Sequence, residues 1–374
     1  MKRAGHHIAQ LQGELQYKAF IPNGLPFNLH WDDKLHQLVS QADQSLGRLD
    51  GIAEILPDVD FFIFMYIRKE ATLSSQVEGT QATFSDVLKA EAKIQDQEIH
   101  KDVDEIQNYI KAMNHGLDRI KSFPLSWRLI REIHVTLLKG VRGENKYPGE
   151  FRSSQNWVGG ATIRTARYIP PPPHEMKSAL DNLEKFMHDA PNLPVLVRAA
   201  LLHAQFETIH PFLDGNGRVG RLLITFYLCQ QQVLSKPLLY LSEYFKKYRS
   251  DYYERLDSYH EKDDIEGWVK FFLEGVSLTA QNAVSTTRKI LKLRDQDLEK
   301  VMSMGRSQSG KRLLDSLYKR PYIKTKDVEK VAGLSNPNAL VLVRKFEKAG
   351  ILKEITGQQR NRVYVYDAYL KLFE

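Results

Sequence analysis

The feature that most constrains the fold is an apolar helical repeat that ends abruptly in the middle of the chain. Between residues 195 and 209 apolar side chains recur at spacings of three and four, namely Val195, Leu196, Ala199, Leu202, Phe206 and Ile209. This spacing predicts one buried face of a helix. Pro211 ends the pattern, because the residue before a proline is disfavoured in the α region. The sequence therefore predicts a buried helix that ends at His210 and presents this side chain at the mouth of a loop.

Helical spacing also dominates the rest of the chain. Apolar residues recur again after Gly217, and an amphipathic stretch runs from about Ile265 to Met302. The segment from Val158 to Ile169 departs from this spacing and predicts a short β-hairpin, which leads into four prolines at positions 170–173. We therefore predict a mainly α fold that carries one short hairpin.

Composition limits the setting in which the chain works. Hydrophobic residues make up 42% and charged residues 26% of the 374 residues, which is typical of a globular protein with a substantial core. The single cysteine, Cys229, excludes an internal disulfide framework, so a reducing, cytoplasmic location is expected. We find neither a secretory signal nor a long apolar run, and we predict no membrane span.

The loop after His210 contains residues suited to holding a phosphate group. Gly215 and Gly217 permit positive φ and a close approach of the backbone to a ligand. Asn216 between them is predicted to cap the next helix, whose first amides and dipole favour an anion. Asp214 is a hard oxygen ligand of the kind that holds Mg²⁺ beside nucleotide phosphates.

Two arginines and the histidine extend this set. Arg218 and Arg221 are three residues apart, on one face of the first helical turn, and their forked guanidinium groups match phosphate oxygens. His210 is able to accept a proton near neutral pH, although a structural histidine at a helix end is the alternative for this residue by itself. Together these groups predict phosphoryl or nucleotidyl transfer.

The segment from His210 to Arg221 resembles the signature of the Fic family. That signature is histidine-proline-phenylalanine followed, two residues on, by an acidic residue, glycine-asparagine-glycine-arginine and a last arginine, and the chain meets every specified position. The resemblance extends over about Phe27 to Ser277. It implies a Fic-type helical bundle in which the hairpin is a flap that aligns a target segment by strand addition. A plain surface hairpin is the alternative for the flap.

The resemblance implies AMP transfer from ATP to a serine, threonine or tyrosine hydroxyl. His210 would deprotonate that hydroxyl, which would attack the α-phosphorus and release pyrophosphate. Arg218 would neutralise the α and β phosphates, Arg221 would hold the γ phosphate, and Asp214 would hold Mg²⁺. The implied ATP-binding residues are Glu78, His210, Gly215, Asn216, Gly217, Arg218, Val219, Gly220, Arg221 and Tyr252. For Tyr252, which resembles part of an adenine wall, an aromatic helix face in the core is the alternative.

An upstream segment, Ser74 to Gly79, resembles the family's inhibitory motif. Ser74 and Glu78 would share a helix face, and Gly79 is a natural helix stop. The resemblance implies that Glu78 pairs with Arg221 and denies this arginine to the γ phosphate. The alternatives are a solvated helix end and, as in some relatives, a glutamate that supports AMP removal.

All of the net positive charge lies near the carboxy terminus, where residues 309–374 hold 14 Lys and Arg against 7 Asp and Glu. Three predicted helices (Lys311–Tyr318, Thr325–Ala332, Asn336–Ala349) and two predicted strands (Leu352–Ile355, Val363–Tyr366) resemble a winged helix-turn-helix. Five basic residues lie where DNA-binding versions meet DNA: Arg344, Lys345, Lys348, Arg360 and Arg362. A protein-contact module or a solvated basic surface is the alternative.

These inferences predict three regions: a helical region 1–120 with the inhibitory helix around 74–79, a catalytic core with its following helices 121–305, and a winged helix-turn-helix 306–374. The predicted function is AMP transfer inhibited by Glu78, with ATP, Mg²⁺, a target protein or the chain itself, and a second copy in a homodimer as partners. The alternatives are a DNA-binding regulator with a nucleotide-sensing pocket, and an enzyme that removes AMP.

Overall fold

The computed structural model describes residues 2–54, 59–94, 100–189, 192–305 and 307–373. Within them the chain is mainly helical, as predicted, with α1 Asp33–Glu54, α2 Val59–Val77, α3 Phe84–Glu91, α4 Val103–Arg119, α5 Trp127–Leu138, α6 Pro173–His188, α7 Val195–Ile209, α8 Asn216–Gln230, α9 Ser242–Lys247, α10 Arg249–Glu261, α11 Ile265–Ser303, α12 Ser307–Lys319, α13 Thr325–Ala332, α14 Asn336–Lys348 and α15 Asp367–Leu370. The short strands are β1 Gly5–Gln10, β2 Tyr17–Pro22, β3 Tyr322–Lys324, β4 Lys353–Glu354 and β5 Val363–Val365. No helix in these ranges is both long and apolar enough to cross a bilayer.

The centre of the molecule is the pair α7 and α8. Helix α7 packs against α6, α8 and α11, so it is surrounded by helices and nearly all of its side chains are buried. Leu201, Leu202 and Phe206 are fully buried. Burial of each such side chain contributes about 1.5–3 kcal/mol to folding. The loop between α7 and α8 is therefore held between two buried, closely packed helices.

The first residues form a hairpin that the sequence analysis did not predict. Strands β1 and β2 pair antiparallel from Gly5↔Pro22 to Gln10↔Tyr17, so the predicted helical region 1–120 begins with a β-hairpin. Most β1 side chains are not buried, and polar residues interrupt the alternation that would have indicated a strand. The hairpin is held from outside the region, because Phe20 N donates to the carbonyl oxygen of Ile169 at 2.9 Å.

The predicted flap is a loop and not a two-stranded hairpin. A single bridge joins Val158 to Tyr168, and a 3₁₀ turn spans Ile163–Thr165. Gly159 and Gly160 adopt φ values of 69° and 77°, in the left-handed region, so the backbone turns immediately after the bridge and no strand ladder can continue. The prediction is therefore wrong in form, although the segment does project as an exposed excursion.

The tail has the element order predicted for a winged helix-turn-helix. Helices α12, α13 and α14 are followed by β4 and β5, and the unpredicted β3 completes an antiparallel sheet in the order β3-β5-β4. Helix α12 begins at Ser307, and residue 306, the first of the predicted tail, lies outside the described residues.

The tail packs on the helix that leads to the predicted inhibitory motif. Phe373 makes an edge contact with Tyr66 of α2 at a ring-centroid distance of 5.5 Å, and it also contacts Phe84 of α3. The hydroxyl groups of Ser85 and Tyr322 lie 2.8 Å apart. The amino-terminal region and the tail are thus in direct contact.

Candidate active site

His210 ends α7 in a backbone conformation that few non-glycine residues adopt. Its φ and ψ are 49° and 61°, in the left-handed region, while its amide N–H bonds the carbonyl oxygen of Phe206 at 2.9 Å. Pro211 prevents a further helical turn. This abrupt turn carries the imidazole out of the helix and into a cavity bordered by α7, α8 and α10.

The imidazole of His210 has the form that a general base requires. Its Nδ1 lies 3.3 Å from the carbonyl oxygen of Glu207. Because a carbonyl oxygen only accepts, Nδ1 carries the hydrogen and Nε2 keeps its lone pair. Burial lowers the pKa of His210 to about 4, so the ring is neutral at physiological pH and Nε2 is able to accept a proton.

Two upstream side chains that the sequence analysis missed hold the start of the loop. Arg152 Nε donates to the carbonyl oxygen of His210 at 2.9 Å, and its Nη2 donates to that of Pro171 at 2.5 Å. Asn156 Nδ2 donates to the carbonyl oxygen of Phe212 at 2.9 Å. Each anchor is more than fifty residues from the carbonyl it binds in the loop, and the sequence contains no local signal for either.

A buried histidine on α5, also missed, holds the other end of the loop. His134 Nδ1 accepts from Gly149 N at 2.8 Å, so Nε2 carries the hydrogen and donates to the carbonyl oxygen of Asp214 at 2.9 Å. The His134 ring stacks on Phe212 at 3.9 Å. Burial lowers the pKa of His134 to about 4, which keeps the ring neutral, with Nδ1 as acceptor and Nε2 as donor.

Asn216 does not cap α8, so this prediction is wrong. The N-cap is Gly215, in the left-handed conformation with φ 80°, and Asn216 is the first helical residue. The Asn216 side chain turns back, where Oδ1 accepts from Phe212 N at 2.9 Å and Nδ2 donates to the Phe212 carbonyl oxygen at 2.7 Å. Asn216 therefore fixes the shape of the loop, and the first amides of α8 are not covered by its side chain.

The first turn of α8 forms an anion site with open donors. Amides in a first helical turn have no partner within the helix, and the helix dipole makes this end positive. The guanidinium of Arg218 is 1% exposed and approaches Glu105 at 3.5 Å and Asp214 at 3.7 Å. Within the described ranges, Arg218 Nε and Nη1 lack a hydrogen-bond partner. Buried donors without acceptors fit a site whose acceptors arrive with a ligand.

Glu78 occupies part of this anion site. It follows α2 directly, and its Oε1 lies 2.7 Å from Arg221 Nη2. Ser74 accepts from the same arginine, through Oγ at 2.8 Å and through its carbonyl oxygen at 3.0 Å. A methyl group on Gly217 would overlap Glu78 Oε1, so the carboxylate lies directly against the first turn of α8. Although burial opposes ionisation, Arg221 holds the pKa of Glu78 below its usual value.

A cavity of about 360 Å³ collects most of the predicted nucleotide-binding residues. That volume is within the range of small-molecule sites. The lining includes Glu78, His210, Gly215, Asn216, Gly217, Arg218, Arg221 and Tyr252 from the predicted set. Val219 and Gly220 do not line the cavity, because they lie on the side of α8 that faces the core. Ser74 and Gly79 act behind it, through Arg221 and through the turn with φ 96° that follows Glu78.

Asp214 is the residue of this cavity that fits a magnesium ion. Its Oδ1 accepts from Gly215 N at 2.6 Å, its side chain is 33% exposed, and it stands across from Arg218. Magnesium in nucleotide sites is commonly held by one or two carboxylates together with the substrate phosphates. A partly exposed carboxylate beside an anion site matches that pattern.

Two family models match the part of the chain that builds this site. The Fic/DOC family N-terminal model matches residues 36–118, and the Fic/DOC family model matches residues 124–228. Together they cover half of the chain. The chain belongs to the Fic family.

Solved Fic structures have the same overall fold. A Fic family protein from Desulfovibrio desulfuricans G20 matches with a TM-score of 0.60 at 18% identity, over 90% of this chain and 97% of that one. A Fic domain containing signaling protein from Bacteroides thetaiotaomicron VPI-5482 matches with a TM-score of 0.50 at 20% identity, over 69% of this chain and 97% of that one.

Curated Fic relatives include proteins named as protein adenylyltransferases. The probable protein adenylyltransferase of Aquifex aeolicus is 29% identical over 154 residues, which are 38% of this chain and 45% of that protein. Protein adenylyltransferase Fic of Drosophila melanogaster is 30% identical over 167 residues, 44% of this chain and 30% of that protein. The matched region spans less than half the length of these relatives.

Tyr252 borders the cavity of this Fic core. It is 1% exposed, and its hydroxyl lies 3.0 Å from Nε2 of the buried His203. His203 Nδ1 donates to the carbonyl oxygen of Gly220, so Nε2 accepts from the tyrosine. Tyr252 therefore ties α10 to α7 and α8, and its ring packs on Phe245 with centroids 4.6 Å apart.

Proposed function

We propose that this Fic protein transfers AMP from ATP to a serine, threonine or tyrosine hydroxyl of a target protein or of its own chain. The observation that carries this proposal is that a neutral imidazole and an anion site with open donors face one cavity. The names of the curated relatives support the same reaction.

In the proposed reaction, His210 Nε2 takes the proton of the target hydroxyl. The hydroxyl oxygen forms a bond to the α-phosphorus, and the bond from that phosphorus to the bridging oxygen of pyrophosphate breaks. Pyrophosphate leaves with the electron pair, AMP remains on the target oxygen, and the imidazolium returns its proton to solvent or to the leaving group. A positioned base of this kind typically contributes ~10²–10⁴ in rate.

The rest of the cavity supports the charge of the triphosphate. Arg218 and the first amides of α8 are placed to bind the α and β phosphates, and their fixed orientation avoids reorganisation during the reaction. Asp214 would hold Mg²⁺, which neutralises phosphate charge when bound. Arg221 would bind the γ phosphate once Glu78 has left it.

Glu78 inhibits this reaction by competition. One guanidinium cannot bind both the Glu78 carboxylate and the γ phosphate, so the ion pair and productive ATP binding exclude each other. The competition is reciprocal, which means that correctly bound ATP also weakens the hold on Glu78. Removal of AMP from a modified protein is the alternative role of Glu78, and it predicts that a purified AMP adduct is lost faster with wild type than with Glu78→Gln.

The deciding experiment is intact-mass spectrometry after incubation with ATP and Mg²⁺. We expect an AMP adduct on Glu78→Gly, a weaker one on wild type and none on Glu78→Gly/His210→Ala. An adduct of equal yield in the His210→Ala double variant would refute the assigned base. Sedimentation velocity on the same samples tests the predicted homodimer.

A second candidate function, DNA binding, is favoured by one groove in the tail. A cavity of about 690 Å³ lies between α14 and the loop that joins β4 to β5. The charged residues that line it are five basic ones, Lys324, Lys326, Arg344, Arg360 and Arg362, and one acidic one, Glu329. Lys348 is exposed on α14, whereas Lys345 is directed to the carbonyl oxygen of Met304 at 2.6 Å. Lys324 Nζ likewise donates to the carbonyl oxygen of Lys93 at 2.7 Å. We propose that this groove, without Lys324 and Lys345, contacts the phosphates of duplex DNA.

A further inference from the structure

One acidic side chain faces the active-site cavity without a role in the steps above. Glu207 lies in the last turn of α7, three residues before His210. Its side chain is 11% exposed, and its Oε2 lies 3.8 Å from His210 Nδ1. Its Oε1 is buried and has no hydrogen-bond partner in the described part of the chain. A carboxyl group that is buried and half unpaired is costly, so this position calls for an explanation.

The neighbouring helix is shaped to receive this carboxyl group. A methyl group on Gly220 of α8 would overlap Glu207 Oε1, and it would come within 3.1 Å of the ring of Phe206. Gly220 is in the interior of a helix, where glycine costs roughly 1 kcal/mol relative to alanine. The absence of a side chain there lets α8 approach α7 closely enough to enclose the carboxyl group against the imidazole.

Burial and two charged groups act on Glu207. Burial raises the pKa of Glu207 to about 8, Arg221 of α8 opposes this shift, and Glu78 adds to it by like-charge repulsion. Tyr252 and Tyr253 of α10 border the same space. While Glu78 is bound in the cavity, Glu207 is therefore mainly protonated at neutral pH, and departure of Glu78 favours the carboxylate.

We propose that Glu207 is a positioning residue that holds the imidazole of His210 from its Nδ1 side and stabilises the imidazolium formed in the reaction. The backbone carbonyl of Glu207 already accepts from Nδ1, so one residue supplies both the acceptor that sets the tautomer and the counter-charge. When Nε2 takes the hydroxyl proton, the new positive charge on the ring favours the ionised form of Glu207 and attracts that carboxylate. This inference rests on the proposed AMP transfer.

Steady-state kinetics in the Glu78→Gly background test the proposal. We expect Glu207→Gln, which keeps the side-chain volume, to lower kcat roughly tenfold or more, a part of the ~10²–10⁴ that a positioned base contributes. The KM for ATP should change by less than about twofold, because Glu207 has no phosphate to bind. Glu207→Asp, which keeps the charge, should recover part of the lost kcat.

The pH profile separates this role from simple packing. In the parent variant, kcat should fall as pH decreases through the pKa of Glu207, because only the carboxylate stabilises the imidazolium. Glu207→Gln should lose this limb and retain the one that belongs to His210. A folded Glu207→Gln variant with the kcat and pH profile of its parent would overturn the inference and leave the proposed function intact. Absence of any AMP adduct in the parent would overturn both.

Gly220→Ala provides a second route to the same carboxyl group. The added methyl group would displace Oε1 without removing the charge, and its helical backbone tolerates alanine. We expect a loss of kcat similar to that of Glu207→Gln, with circular dichroism and ATP binding unchanged. If Glu207→Gln does not fold, this variant and Glu207→Asp decide the question, and unchanged kcat in both sinks the proposal.

Discussion

The active-site loop and the tail groove both gather positive charge, but they do so in opposite physical settings. Arg218 and Arg221 have side chains only 1% and 2% exposed. Arg218 lies near the carboxylates of Glu105 and Asp214, and Arg221 binds Glu78 and Ser74. Arg344, Arg360 and Arg362 in the tail are exposed. A buried, oriented guanidinium selects one arrangement of phosphate oxygens, whereas exposed ones attract any polyanion and are screened by salt. Positive charge alone therefore does not distinguish a catalytic site from a docking surface; the burial and orientation of the charged groups do.

The largest expected effect is on the loop side of this comparison. His210→Ala should lower AMP transfer by ~10²–10⁴ in the Glu78→Gly background, because the base is lost while the phosphate site remains. The measurement is the initial rate of AMP incorporation by mass spectrometry. His174→Ala, at an exposed histidine of α6, is the matched control and should keep the parent rate.

The second largest effect is expected for Arg218→Ala, which should lower kcat by a factor of about 10²–10³. Its guanidinium is preorganised and desolvated, so this loss should hardly change between low and high salt. Arg128→Ala, at a side chain that is 75% exposed on α5, should have no effect. If the loss of kcat in Arg218→Ala disappears at low salt, Arg218 acts like the exposed arginines of the tail, and the proposed difference between the two regions is wrong.

Release of Glu78 should raise self-modification by roughly 5- to 150-fold, the usual range of coupling between two exclusive contacts. Glu78→Gly should give the full increase. Glu78→Gln should give a smaller one, because an amide remains able to accept from Arg221 but carries no charge. Equal AMP incorporation by wild type and both variants would remove Glu78 from the account of regulation.

A smaller and salt-dependent effect is expected in the tail. If the groove binds duplex DNA, the double variant Arg344→Ala/Arg362→Ala should reduce the slope of log affinity against log salt by about 2, at ~0.9 for each lost phosphate contact. Filter binding at several salt concentrations provides this slope. Lys311→Ala, at an exposed lysine on α12, is the control. An affinity for DNA that is absent or independent of salt would leave the tail as a protein-contact module.

The smallest expected effect is on stability in acid. Burial lowers the pKa of His134 and His210 to about 4 and that of His203 to about 3, below the unfolded value near 6.5. The unfolded chain therefore binds more protons between these values, so the free energy of unfolding should fall as pH decreases from about 6.5 towards 4. Urea titrations at a series of pH values measure this, and a His210→Ala variant should show a shallower decline.

Much of the site could be predicted because it is local in sequence. The ending of α7 at His210 follows from Pro211, and the shared helix face of Arg218 and Arg221 follows from their spacing. The pairing of Glu78 with Arg221 came from a motif and not from spacing, since 143 residues separate the two. The anchors His134, Arg152 and Asn156 escaped prediction because each binds a backbone carbonyl, which any residue of the loop could have offered.

The errors have the same origin. Asn216 is a residue type that commonly caps helices, but its side chain binds both the amide and the carbonyl group of Phe212. The geometry of the loop favours these two contacts over capping of α8. The flap has the residues of a hairpin, yet Gly159 and Gly160 turn the chain at once. In both cases a local preference was real, and a competing contact outweighed it.

By itself the sequence determined the helices that flank the loop, most of the element order in the tail and the chemistry that the chain brings to its loop, because helical spacing, proline and glycine act within a few residues. Only the tertiary structure decided which groups face one another: Glu78 against Gly217, and Glu207 enclosed between His210 and Gly220. The reason is physical, since burial and the approach of distant charges set the protonation and orientation of a side chain, and both depend on how the helices pack.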